Sequence, residues 1–479
     1  MTSVPAGRVL LGLGGGIVAL TLVGLALHVP GSPWVGTVPR KDAVVALILA
    51  AGVLYAGAVY LVTHIKLDAR IIWPVLAITL VLRVVLLAAP PFMSSDIYRY
   101  VWDGRVQAAG INPYLYIAND PALAALPHDS IYAGMNRVDY AHTIYPPAAQ
   151  VIFAAVGQIS QTVTAMKITL VLLELCGVAA MLRLLALAGL PPARVLIYAW
   201  NPLAAWAVAG DGHIDGAAIG LLGLAMLAAT LRRQSLAGFL FGAAILTKFL
   251  PIVVAPALWR RWDWKLPVAC TATIAALYGL YLKAGWLVLG FLPNYTREEG
   301  LAQGSGFWPL AALGRVVPLP QAATYVYLGA GIAALALLAI WITFGQDHAP
   351  NEPKFFASFF QKRSSFLKER TKELLRVPRL TDEPALLGDR VALLAAGTMA
   401  VMTPHYPWYF AWLALPLCLR VRPAILWLSV APALLYSDPW HDEILIETTV
   451  FLPAIILAVL GALAPWPRAR ATAAVRSLT

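Results

Sequence analysis

Stretches of about twenty residues with almost no charge recur along most of this chain, and nothing in it limits the fold more. Residues 9–28, 43–63 and 71–90 each approach the length that crosses a hydrocarbon core, and similar runs continue to residue 464. They are rich in Leu, Ala, Gly and Val and too long for barrel strands, so they read as helices whose backbone bonds close within each segment. Composition agrees. Of 479 residues, 60% are hydrophobic and only 12% charged, where soluble domains carry about 25% charged residues. The surplus apolar surface has to face lipid. The expected fold is all-α, a polytopic transmembrane bundle of about 12–14 helices, with a large outer loop carrying short amphipathic helices.

The net charge of +11 suggests nucleic acid only until its placement is read. The basic residues sit in short clusters between apolar runs, the pattern of loops kept in the cytoplasm. No nucleic-acid partner is expected; the bilayer is. The first run follows Arg8 and lacks a small-x-small cleavage site, so it reads as a retained helix. With the N-terminus inside, loop 91–145 falls outside. It holds Asp96, Asp103, Asp120, Asp129 and Asp139 against Arg99, Arg105 and Arg137, with no lysine. Arg468, Arg470 and Arg476 place the C-terminus inside, and counting back puts 290–320 outside. The run around Lys248 and Pro251 reads as a broken or re-entrant hairpin. Cys176, Cys270 and Cys418 fall in apolar segments with no ligand spacing and read as packing residues. Four parts follow: two N-terminal helices (1–70), a core (71–344) with outer loops 91–145 and 290–320, a basic amphipathic cytoplasmic insertion (345–389), and C-terminal helices with a basic tail (390–479).

The stretch PPFMSSDIYRYVWDGRVQAAGINPYLY (90–116) carries the most chemistry. Asp96 comes just after the third apolar run, at a membrane face. Ile97, Tyr100, Val101 and Val106 can lie on the membrane while Arg99, Asp103 and Arg105 face water, and Gly110, Asn112 and Pro113 end the helix. A carboxylate at that depth suits a general base on an acceptor hydroxyl, and the arginines suit an anionic leaving group such as a phosphate. The plain alternative is that Ser95 and Asp96 cap a helix.

The run SSDIYRYVWDGRVQAAGINPY, followed by TIYPPAAQ, resembles the polyprenyl-phosphate-sugar-dependent glycosyltransferases of the GT-C fold. It is most similar to bacterial mannosyltransferases of glycosyltransferase family 87 and their α-1,6-mannosyltransferase relatives. WNPLAAWAVAGDGHIDG, ILTKFLPIVVAPALW and TPHYPWYFAWLALP occur in the same order, and the resemblance covers most of 71–436. It implies transfer of a sugar, mannose by the resemblance, from a polyprenyl-phosphate donor to a glycan or glycolipid acceptor. The transfer takes place on the periplasmic or extracellular face of a multi-pass inner (plasma) membrane protein, with inversion. The catalytic aspartate of that fold matches Asp96. Two helices precede the loop where the simplest layout has none. Asp96 also lacks an adjacent acidic partner, so neither a metal nor any other cofactor is expected.

The other candidates carry alternatives. Arg99, Arg105, Lys248 and His405 are candidate donor-phosphate contacts, with Arg83 behind them. Lys248 can instead snorkel to an interface, and His405 can belong to an anchoring belt with Tyr406, Trp408 and Tyr409. Tyr98, Asp103, Asn112 and Tyr145 are candidate acceptor or cavity residues. Asp211, His213 and Asp215 in GDGHIDG can bind acceptor, hydrogen-bond structurally, cap a helix or, least plausibly at that spacing, hold a metal. A lipid-linked sugar flippase or secondary transporter is the competing class. It would favour charges buried at the midplane and paired half-helices in repeated halves, whereas here Asp, Arg and Tyr gather in one long outer loop. A subunit without activity is the third reading, for which replacement of Asp96 would leave no phenotype.

Overall fold

The computed structural model describes residues 6–27, 40–344, 382–437 and 442–463. Most of the expected amphipathic insertion, residues 345–381, lies outside the described residues. Among the described residues every regular element is helical. In chain order these begin with α1 (Ala6–Leu27), α2 (Arg40–His64), α3 (Ile72–Leu87), α4 (Asp96–Ala108), α5 (Ser130–Gly134) and α6 (Pro147–Ile159). Then follow α7 (Val163–Leu187), α8 (Leu196–Ala199), α9 (Pro202–Ala205), α10 (Asp215–Thr230) and α11 (Gln234–Thr247).

Seven described helices are long and apolar enough to cross a membrane, or nine when two sharply bent pairs each count as one span. Shorter apolar helices at Pro147–Ile159, Gln234–Thr247 and Pro423–Tyr436 account for further runs seen in the sequence. The protein is thus a multi-pass membrane protein with an all-helical fold. The helix Ala322–Phe344 is the least buried of the seven, as expected of a span whose neighbours are mainly lipid tails.

Small residues set the closest helix contacts. A Cβ on Gly104 of α4 would lie 2.5 Å from the Phe153 carbonyl of α6, and one on Gly157 would strike the Gly104 carbonyl. Gly177 of α7 and Gly220 of α10 meet in the same way, each with no room for a side chain. In lipid, where apolar surface alone does not drive association, such backbone approach supplies the packing.

The centre of the bundle is broken. Trp200 and Asn201 interrupt the helix between α8 and α9, and buried side chains take up the freed polar groups. Tyr55 donates to the Ile197 carbonyl at 2.5 Å, and the Asn201 amide donates to Ser429 O and Oγ at 3.1 and 3.0 Å. The Trp200 indole donates to Val75 O at 3.1 Å. Non-helical backbone at this depth survives because protein surrounds it. Residues 202–210 then meet α10 at a bend of 117°, and the vertex is GDGHIDG, the glycine-rich break seen in the sequence. The run around Lys248 is likewise broken: α11 stops at Thr247, Lys248 is extended, and a 3₁₀ turn begins at Leu250.

Two expectations need correction. The face of α4 assigned to water is buried: Arg99, Asp103 and Arg105 are 9%, 1% and 5% exposed. Arg99 Nε pairs with Asp103 Oδ1 at 2.9 Å, and Asp103 Oδ2 accepts from Thr143 at 2.5 Å and Gln150 at 2.8 Å. A charged face satisfied by its own i,i+4 pair and by the next segment does not need water. Arg83 is no phosphate contact. It is fully buried, paired with Glu174 at 2.7 Å and donating to the Ala199 carbonyl, while Tyr198 donates to Glu174 at 2.7 Å.

Candidate functional site

Asp96 opens α4, but Ser95 forms no side-chain cap there. Its carboxylate is turned into the junction with the bent pair, where His213 Nδ1 stands 3.7 Å from Oδ2. The Asp96 side chain is 25% exposed and that of His213 is 1% exposed. Burial raises the Asp96 carboxyl above its ordinary value, and Asp215 adds to the rise. Lys248, Arg137 and a hydrogen bond from Tyr145 act in the opposite sense. A carboxylate so placed holds a proton more readily than one in water, which suits a base near neutral pH.

Lys248, released from helical geometry at the end of α11, reaches Asp215 Oδ2 at 2.7 Å and lies over the Tyr409 ring at 4.1 Å. One wall is aromatic: His213 stacks on Trp408 at 4.1 Å and Tyr406 on Trp408 at 4.7 Å. On the other side Tyr145 meets Tyr100 edge-on at 4.7 Å, and Tyr100 stacks on Phe153. The second loop closes over the top. Tyr295 and Tyr409 share a hydrogen bond at 3.2 Å, Tyr406 donates to Glu299 at 3.0 Å, and Arg137 pairs with Glu298 at 2.5 Å.

Around this cluster lie buried polar atoms with no hydrogen-bond partner among the described residues: Asp211 Oδ2, both His213 ring nitrogens, Trp412 Nε1 and the Tyr436 hydroxyl. Buried polar groups are normally satisfied, so these atoms leave donors and acceptors open beside Asp96. Beside it runs a crevice with Asp215 and Lys248 at its polar end and Ala218, Ile219, Leu222, Leu250, Pro251 and Trp412 along its apolar walls.

Of the residues singled out in the sequence, the structure brings together Asp96, Tyr145, Asp211, His213, Asp215 and Lys248. It does not bring Arg99 and Arg105 to the Asp96 carboxylate. Arg99 is held by Asp103 and the Ala141 carbonyl, and Arg105 by Asp129, Gln161 and the Pro127 carbonyl. Asp103 is locked in that Arg99 network. The Tyr98 ring packs on Gly134 of α5. Asn112 accepts from the Tyr114 amide at 3.1 Å, a turn role. His405 pairs with Glu447 at 3.0 Å. The cations acting on Asp96 are Lys248 and Arg137. Tyr295, Glu299, Trp412 and Tyr436 carried no signal in the sequence, because only the fold places them here. No group of three or more His, Cys, Asp and Glu suited to a metal occurs among the described residues.

The Glu447 carboxylate paired with it raises the His405 ring above the ordinary histidine value, outweighing partial burial. A raised folded-state value stabilises fully below the unfolded value of about 6.5 and is lost as pH rises through the folded one. Between about pH 6 and pH 9 the wild type is therefore expected to lose more thermal stability than His405→Gln. Parallel melting curves for the two proteins would remove this pair from the account.

Residues 5–263, just over half of the chain, match the family described as alpha-(1->6)-mannopyranosyltransferase, N-terminal domain. No curated protein and no solved structure matches the chain.

Proposed function

The chain belongs to the alpha-(1->6)-mannopyranosyltransferase family, and from that premise we propose how this membrane mannosyltransferase works. It moves mannose from a polyprenyl-phosphate donor to a hydroxyl of a glycan or glycolipid acceptor, with Asp96 as general base. The observation that carries this is the partly exposed Asp96 carboxylate, facing buried polar atoms that lack partners and lying near the Lys248 ammonium. The acceptor oxygen attacks the anomeric carbon while Asp96 takes its proton. The bond from that carbon to the phosphate oxygen breaks, and polyprenyl phosphate leaves with the electron pair. An α product formed with inversion requires a β-linked donor.

Lys248 offsets charge developing on the leaving phosphate, and the apolar crevice beside it suits the first isoprene units. Tyr406, Trp408 and Tyr409 suit the faces of a sugar ring. The acidic-leaning, lysine-free loop 91–145 supports a site on the non-cytoplasmic face of the plasma membrane. A family of enzymes leaves little to the flippase or transporter reading.

The test uses purified protein, labelled polyprenyl-phosphate-mannose and a mannosyl acceptor. Lys248→Gln is expected to raise the donor KM about ten- to a hundredfold, the loss of one charge-assisted contact. Free polyprenyl phosphate should compete with the donor in the wild type. A donor KM unchanged in Lys248→Gln would place the phosphate elsewhere.

A further inference from the structure

The segment linking α3 to Asp96 is gripped from both sides by the side chains of Lys167 and Asp211. Pro90 and Pro91 have no N–H, so the carbonyls of Leu86 and Leu87 lose the donors an α-helix would give them four residues on. Lys167, buried near the start of α7, replaces those donors. Its Nζ donates to the carbonyls of Leu86, Leu87 and Ala89 at 3.0, 3.3 and 2.7 Å. An ammonium has three N–H groups and no acceptor, which matches three carbonyls.

On the other side Asp211 Oδ1 accepts from the backbone amides of Phe92 and Met93, each at 3.0 Å. Cation and anion thus take the opposite polar groups of one stretch, residues 86–93, that runs directly into Asp96. The next residue joins the two grips. Gly212 has φ +74°, and a Cβ there would strike Ile97 Cδ1 in the first turn of α4 and lie 2.9 Å from Lys167 Cγ. The 211–213 turn is therefore pressed against both the lysine stem and the helix that carries Asp96.

We infer that Lys167 and Asp211 are positioning residues that set the Asp96 carboxylate for transfer by clamping the backbone before it. The inference rests on Asp96 being the proton acceptor. Misplacing a reacting group by about 1 Å can cost about a hundredfold in rate without altering what binds. Lys167→Met keeps the stem and removes the three donors. It is expected to lower kcat about ten- to a hundredfold and leave the donor KM unchanged.

Because the clamp acts through Asp96, the double variant Lys167→Met/Asp96→Asn should be no slower than Asp96→Asn alone. Asp211→Asn keeps an oxygen for the two amides and should retain more of kcat than Asp211→Leu, which removes it and should fall with Lys167→Met. Should Lys167→Met not accumulate, the two Asp211 variants carry the comparison by themselves. The clamp is overturned alone if Asp96→Asn collapses but Lys167→Met slows it by the same further factor. It is also overturned alone if Asp211→Asn and Asp211→Leu behave alike. An Asp96→Asn protein as active as the wild type overturns the proton-acceptor reading and the clamp with it.

Discussion

Replacing Asp96 by asparagine is expected to lower mannosyl transfer about 10²–10⁴-fold, the usual cost of removing a positioned general base. The amide keeps the shape of the carboxylate and the contact with Tyr145 but does not take a proton from an acceptor hydroxyl. The loss should therefore fall on kcat, with donor KM little changed. The pH profile supplies a second, independent signature. Burial raises the Asp96 carboxyl, and in the proposed mechanism the charged form is the working one. In the wild type kcat should then fall on the acid side with a midpoint above the ordinary aspartate value of about 3.9, and the residual activity of Asp96→Asn should lack that limb. Equal rates for the two proteins would leave Asp96 a helix-starting residue and nothing more.

The second large effect concerns folding. Arg83 and Glu174 pair at 2.7 Å with side chains 1% and 0% exposed, and they join α3 to α7 inside the membrane region. Glu174→Leu leaves the guanidinium buried beside the Ala199 carbonyl with no counter-charge. Breaking a buried pair from one side typically costs about 3–5 kcal/mol, enough to prevent accumulation of a marginally stable protein. Removing both charges costs far less, so Arg83→Met/Glu174→Leu should recover much of the loss. The Tyr198 hydroxyl and Ala199 carbonyl, left without their partners, keep the recovery incomplete. Melting curves in detergent, or yields of monodisperse protein, decide the matter. A double variant as poor as the single one would show that these side chains matter through shape and not through charge.

Much of this was legible in the sequence because hydropathy and backbone chemistry act locally. The long apolar runs declared the spans, and the glycines of GDGHIDG and the Lys248–Pro251 break declared two of the places where helices are interrupted, though not the bend between Gly279 and Leu282. Asp96 stood out by its depth after an apolar run. The arginines misled for a physical reason. Arg99 and Asp103 are spaced i,i+4 on one helix, and that pairing, visible in the spacing, commits the guanidinium before any ligand arrives. Arg105 reaches Asp129 across a loop, a contact that no helical period announces. Lys167 lies at the start of an apolar run and carried no signal of its own. Its role depends on the end of α3 lying beside it, and on two prolines nearly eighty residues earlier that deprive carbonyls of donors. Tyr295, Glu299, Trp412 and Tyr436 are ordinary membrane-protein residues until tertiary structure gathers them.

The closure of the second loop and the aromatic wall over Asp96 also bears on how the protein is made. Asp96 leaves the ribosome more than three hundred residues before Tyr406, Trp408 and Tyr409, and Tyr295 and Glu299 come between them. Helices α1 to α7 can insert and pack while the carboxylate still lacks half of its surroundings. The nascent chain therefore carries the proposed base early and the aromatic wall late. A chain ending before residue 406 would lack Tyr406, Trp408 and Tyr409, the aromatic wall beside Asp96.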